Sequence, residues 1–151
     1  MGTLALLLLV LLAIAVFRTV SLEMSNRQRD FLNGVMPAPP PDGFYKGSVS
    51  LYAGSWIGKE FDAAKSAGIN VFEKGGMQFK QYSFRTYPAK GLRDGSKDVL
   101  RIDYSSSEIP FFVRRVVDEI VEIAPGRLLG KAHVRIVPGF PFTVAFFELH
   151  R

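Results

Sequence analysis

The chain opens on an unbroken apolar block. From Thr3 to Phe17 only Thr3 is not apolar, and eight of the first twenty-two residues are Leu. Fifteen helical residues reach about 22 Å, short of the roughly 30 Å of bilayer hydrocarbon. Extending the helix to Leu22 gives about 30 Å, with one charge, Arg18, near its end. Its Leu, Ile, Val and Phe residues contribute about −5 kcal/mol to insertion, against at most about 3 kcal/mol for Arg18. The pattern predicts a transmembrane helix, a signal anchor, over residues 1–22. Residues 23–43 then predict a juxtamembrane helix over Met24–Asn33 that stops at Gly34. Pro37-Ala38-Pro39-Pro40-Pro41 follows as a polyproline spacer that stands the rest of the chain off the bilayer.

Residues 44–151 change to short alternating runs punctuated by Gly and Pro. Leu100, Ile102 and Tyr104 alternate with Arg101 and Asp103, as in a half-buried strand. Val117–Ile123 and Leu128–Val137 flank Pro125-Gly126 as a hairpin. Thr143–Leu149 makes a last strand, and Tyr45–Tyr52, Ser55–Phe61, Ile69–Phe72 and Met77–Tyr87 precede them. The stretch around Val113–Ala124 also fits helical spacing; it reads as a helical turn after Pro110 that becomes a strand near Val117. The fold class is all-β: a small antiparallel barrel or sandwich of seven or eight strands behind one N-terminal helix.

Composition removes some chemistries. With no cysteine there is no thiol catalysis, disulfide or zinc–thiolate site. The net charge of +5 lies wholly in residues 44–151, where sixteen Lys and Arg face eleven Asp and Glu. A basic domain beside a membrane suits anionic headgroups, although a solvated basic surface explains the charge equally well. Arg18, Arg27 and Arg29 follow the apolar block, so the positive-inside rule places the domain in the cytoplasm. The competing reading is a cleaved signal peptide with Ala13-Ile14-Ala15 as its site; against it, Met1-Gly2-Thr3 has no Lys or Arg.

Gly54-Ser55-Trp56-Ile57-Gly58-Lys59-Glu60-Phe61 is the most distinctive box. A lone Trp between glycines predicts an indole packed where backbones approach closely, closing one end of a core. Gly54-Ser55-Trp56 resembles the G-x-W element that opens lipocalin barrels. That resemblance implies a calycin-like barrel, with Arg135 or Arg151 as the cation over the indole. Trp56–Phe61, Asp118-Glu119-Ile120-Val121, Ala124-Pro125-Gly126 and Leu129-Gly130-Lys131 resemble an uncharacterised bacterial membrane-anchored family, and Gly54–Gly58 is similar to the GXWXG-type domains. These resemblances imply a shared fold and supply no catalytic residue.

The catalytic inventory is thin. His133 and His150 are the only histidines, and neither has a nucleophile or metal partner close in sequence. Asp118, Glu119 and Glu122 form an acidic cluster that would bind a cation or, more simply, pair with Arg114, Arg115, Arg127 and Lys131. No metal site, cofactor or nucleic-acid partner is assigned. Lys74–Arg101 holds seven basic residues interleaved with Phe79, Tyr82, Phe84 and Tyr87, which suits a membrane surface or a plain barrel wall. Lys80, Arg85, Lys90 and Arg93 are its candidate membrane-surface residues.

The leading expectation is a membrane-tethered module for an apolar ligand, a lipid or acyl chain, in a cavity of at least about 300 Å³. Its candidate wall residues are Trp56, Phe61, Tyr104, Phe142 and Phe146. The alternative is a non-enzymatic scaffold or assembly protein with a filled core that docks a membrane-protein partner.

Overall fold

The computed structural model describes residues 2–49, 54–106 and 108–151. Eight antiparallel strands close into a barrel in chain order: β1 (Gly43–Val49), β2 (Trp56–Asp62), β3 (Ala67–Lys74), β4 (Met77–Lys90), β5 (Asp98–Asp103), β6 (Val116–Ala124), β7 (Arg127–Val137) and β8 (Phe140–His150). β1 pairs with β8 to complete the ring, so no edge strand is left. Every strand expected from alternation is present, and β5 and β8 are longer than their apolar cores. The residues expected to carry β1 on to Tyr52, 50–52, lie outside those described. Gly75-Gly76 joins β3 to β4 with φ of +60° and +77°, the tight turn whose hand matches strand twist. The turn after Pro110 forms a 3₁₀ segment, Val113–Arg115, and β6 starts immediately after it.

Antiparallel succession sorts the loops into two ends. The β1–β2, β3–β4, β5–β6 and β7–β8 connections form one end, the mouth; the remaining connections form the base. Leu100 and Ile102 of β5, and Tyr104 just after it, point inward, in phase with Ile120, Leu128, Phe147 and Leu149. Toward the base the interior is solid, with Phe61 edge-on to Tyr45 and Phe84 at 5.6 and 5.5 Å. Three aromatic rings in herringbone contact fill an eight-stranded barrel without a channel.

A second apolar layer lies outside the barrel. Val99, Val121, Leu129 and Phe146 face outward from β5–β8 and are sealed by Phe31 and Leu22. Phe31 belongs to α2 (Asn26–Asn33), which begins at an N-cap on Ser25 and ends at Gly34. The helix expected over Met24–Asn33 is thus seen from Asn26 to Asn33. The linker does not stand off as a spacer. Val35 exchanges two backbone hydrogen bonds with Glu122, at 2.9 and 2.7 Å, and Pro37 and Pro41 are buried. Met36 packs on the interior cluster. The segment straps the barrel side and leads into β1.

α1 (Gly2–Glu23) is long and apolar enough to cross a membrane. Arg18 Nε donates to the Val144 carbonyl at 2.8 Å and Thr19 Oγ1 to that of Thr143 at 3.3 Å. Leu22 then packs on the cluster of Phe146, and Arg27 of α2 pairs with Glu148, so the chain from the end of α1 into α2 passes along β8 toward the base. Thr143 is about 10 Å of strand from Phe140 at the mouth, whereas the helix before Thr19 is about 25 Å long. Most of the apolar helix therefore extends past the mouth, and residues 4–14 are exposed along it.

Candidate functional site

A cup opens in the mouth half of the barrel, above the filled base. Its volume is about 280 Å³, and its walls include Trp56, Phe72, Tyr82, Phe147 and Val116. Glycines make the walls possible. A Cβ at Gly47 would fall inside the Trp56 ring, and one at Gly130 inside the Phe147 ring. Trp56 and Phe147 then meet edge to face at 5.8 Å. Tyr82 is the extra residue of a bulge opposite Ile69-Asn70, with φ +60°, an uncommon conformation for an aromatic residue. The bulge turns the Tyr82 carbonyl to the Asn70 side chain, whose Nδ2 donates to it at 3.1 Å.

The floor of the cup is polar. Lys59 Nζ donates to Tyr104 OH at 2.6 Å, to Asn70 Oδ1 at 2.9 Å and to Asp118 Oδ2 at 3.0 Å. Tyr104 OH donates in turn to the same Asp118 oxygen at 3.0 Å, and Trp56 Nε1 to Asn70 Oδ1 at 3.1 Å. The rings of Trp56, Phe84, Tyr104 and Phe147 surround the ammonium at 5.2–5.6 Å. Burial pushes the Lys59 pKa below its usual value, and Asp118 opposes that shift. Burial, then the Asp118 charge, raises the Tyr104 pKa well above normal, so its hydroxyl keeps its proton. The floor thus offers donors and acceptors in balance, with one cation matched by one anion.

A separate polar network is sealed on the outer wall. His133 Nε2 lies 3.1 Å from Glu119 Oε2, and Thr143 Oγ1 lies 3.3 Å from His133 Nδ1. The order hydroxyl–imidazole–carboxylate is that of an acyl-transfer triad. Here all three residues are fully buried beneath α1 and the β4–β5 loop, and the cup opens on the other side of the wall. A group that no substrate reaches does not catalyse. Its partners describe a clasp instead: Thr143 and Lys131 both donate to Glu23 of α1, and Arg93 grips Glu23 from the loop. Glu119 also accepts from the Leu92 amide at 2.7 Å. Burial raises the Glu119 pKa, but the His133 contact and the Leu92 amide outweigh it and hold the carboxyl below its ordinary value.

The expected site residues separate. Trp56 and Tyr104 line the cup. Phe61 lies in the solid base, Phe142 is buried against Phe140 at 4.9 Å, and Phe146 faces outward onto Phe31 at 6.2 Å. The cation over Trp56 is Lys59, where Arg135 or Arg151 was expected. Asp118, Glu119 and Glu122 do not cluster, because strand alternation sends Asp118 inward to Lys59 and Glu119 outward to Arg101. Of the basic residues, Lys80 pairs with Glu60, and Lys90 pairs with Asp98 at the base end. Arg93 holds Glu23, and Arg85 is exposed on the outer wall. The stretch from Lys74 to Arg101 therefore traverses the barrel and does not ring its mouth. Asn70 is the site residue that sequence reasoning did not single out, while Lys59 enters it only as part of the Trp56 box and Asp118 only as a member of the acidic cluster. No protein family, curated protein or solved structure matches this chain.

Proposed function

We propose that this protein is a membrane-tethered binding module whose cup holds the apolar part of a small amphiphile, a lipid or an acyl chain. The cup itself carries the reading: about 280 Å³ of apolar-walled space over a hydrogen-bonding floor. That volume falls just short of the about 300 Å³ expected of the cavity, the lower end of the roughly 300–1,000 Å³ usual for ligand pockets. A compact molecule, or one end of a longer chain, fits it. Lys59 and Asp118 already neutralise each other, so a ligand carboxylate at the floor would be an uncompensated buried charge. A hydroxyl, carbonyl or amide group suits the floor better.

α1 serves in this reading as the anchor, with the barrel on the cytoplasmic side, because Arg18, Arg27 and Arg29 follow the apolar block. The chain has no native thiol, so a cysteine introduced at exposed Gly95 reports the side. Labelling of intact cells by an impermeant reagent would contradict the placement. Native mass spectrometry of the detergent-extracted full chain tests the ligand, and a co-purified adduct of constant mass is expected. A folded chain carrying nothing would favour a scaffold that docks a membrane protein, the reading that the filled base supports.

A further inference from the structure

The rim of the mouth carries a feature that the cup does not use. Phe111 and Phe112 precede the 3₁₀ turn, and Ile136 and Val137 end β7. Their exposures are 63%, 70%, 70% and 41%. Single exposed apolar residues are ordinary; four large ones on two segments at one end of a barrel mark a contact surface. Phe111, Ile136 and Val137 border a groove of about 700 Å³ that Arg114, Arg115 and Arg135 also line.

Among the described residues, none of these arginines forms an ion pair, whereas Arg27, Arg93, Arg101 and Arg127 all do. Arg114 and Arg115 rest over the Phe111 ring at 6.0 and 4.6 Å. The Arg114 Nε is buried without a hydrogen-bond acceptor. A guanidinium so placed calls for an anion with several oxygens.

α1 supplies an independent line of argument. Its apolar run ends at Phe17, and the next residue, Arg18, is bonded to Val144, midway along β8. Val144 is about 13 Å of strand from Phe140, so the mouth lies level with roughly residues 10–12 of α1, inside its apolar run. A bilayer that holds the helix lies against the rim.

We infer that the rim seats on an anionic phospholipid bilayer. Phe111, Phe112, Ile136 and Val137 enter the interface, and the three arginines take headgroup phosphate oxygens in the groove. The cup then opens toward lipid. This inference rests on the anchoring of α1 and is indifferent to whether the cup is occupied.

Alkaline carbonate extraction of the full chain separates loss of the anchor from failure of the rim. The test itself uses Phe112→Cys at the rim and Pro125→Cys in the β6–β7 turn at the base, each carrying a polarity-sensitive label. The labelled full-length chains are reconstituted in neutral and in anionic phospholipid vesicles. The label at 112 should be shielded from aqueous iodide, more strongly in anionic vesicles, while that at 125 stays open. Replacing the three arginines by Gln should lower the seated-to-lifted ratio in anionic vesicles by about a hundredfold. Arg135→Gln alone provides a milder variant, and unchanged melting temperatures verify the fold. Equal iodide access at 112 and 125 overturns the inference. Shielding that ignores both lipid charge and the arginines overturns the headgroup site. Loss of shielding in millimolar inorganic phosphate, but not in chloride of equal ionic strength, reassigns the groove to free phosphate and overturns the seating.

Discussion

Lys59 and Asp118 face each other across the barrel interior at 3.0 Å, with side chains only 3% and 6% exposed. Strands β2 and β6 are not neighbours, so the pair spans the lumen and fixes the boundary between the solid base and the cup. Removing one member of such a pair leaves the other charge buried and uncompensated. Lys59→Met and Asp118→Asn should each cost about 3–5 kcal/mol. The double variant should cost clearly less than the sum. Denaturant unfolding of the four proteins measures this, and strict additivity would show that the charges do not interact.

Trp56 closes the cup wall against Gly47 and Phe147. Truncation to Ala should destabilise the barrel by about 3–5 kcal/mol, as for other large core side chains. Gly47→Ala should also destabilise it, because the new methyl meets the indole. Combining it with Trp56→Leu should recover part of that loss. Thermal melts decide, and an unchanged melting temperature for Trp56→Ala would place the indole on a free surface.

Acid should loosen the outer clasp. Glu119 is held below its ordinary pKa of 4.5, and Glu148 likewise, since Arg127 and Arg27 outweigh the upward push of burial. A carboxyl depressed by folding contributes stability that is complete above its unfolded value and is lost as pH falls through the folded one. Melting temperature should therefore decline as pH drops below about 4.5. Glu119→Gln should start lower and decline less. A profile identical to wild type would remove Glu119 from the clasp.

The outer network should behave as structure. Thr143→Val removes the hydroxyl that links His133 to Glu23. Amide exchange should quicken in β8 and in the last turn of α1, with the cup unchanged. Acyl-enzyme formation with an activated ester that disappears in Thr143→Val would contradict this assignment.

Alternation made most of the fold legible. The phase of Leu100 and Ile102 in β5 and of Tyr104 after it, and the turn residues Pro125-Gly126 and Gly75-Gly76, locate strands without tertiary information. The site was harder to read. β6 is buried on both faces, with Val117 and Val121 outside and Ile120 inside, so the inward phase of Asp118 carried no contrast. In β2 a register shift between Trp56 and Gly58 breaks the count that would have put Lys59 inside. The linker misled for another reason. Proline content predicts local stiffness, but the pairing of Val35 with Glu122 and the burial of Pro37 are tertiary. Phe146 was expected in the wall, but adjacent strand residues point to opposite faces, and its neighbour Phe147 takes that place.

Trp56 is the only tryptophan and lies in the wall of the cup, so its fluorescence reports occupancy without a label. The most direct measurement titrates the detergent-solubilised full chain with a medium-chain alcohol brominated along its chain. Ala132→Phe, whose added ring would fill the cup beside Trp56, serves as the control. Saturable quenching is expected in wild type, with weaker quenching by the matching carboxylate and loss of saturation in Ala132→Phe. Quenching that rises linearly, or that is the same in Ala132→Phe as in wild type, would contradict a ligand in the barrel.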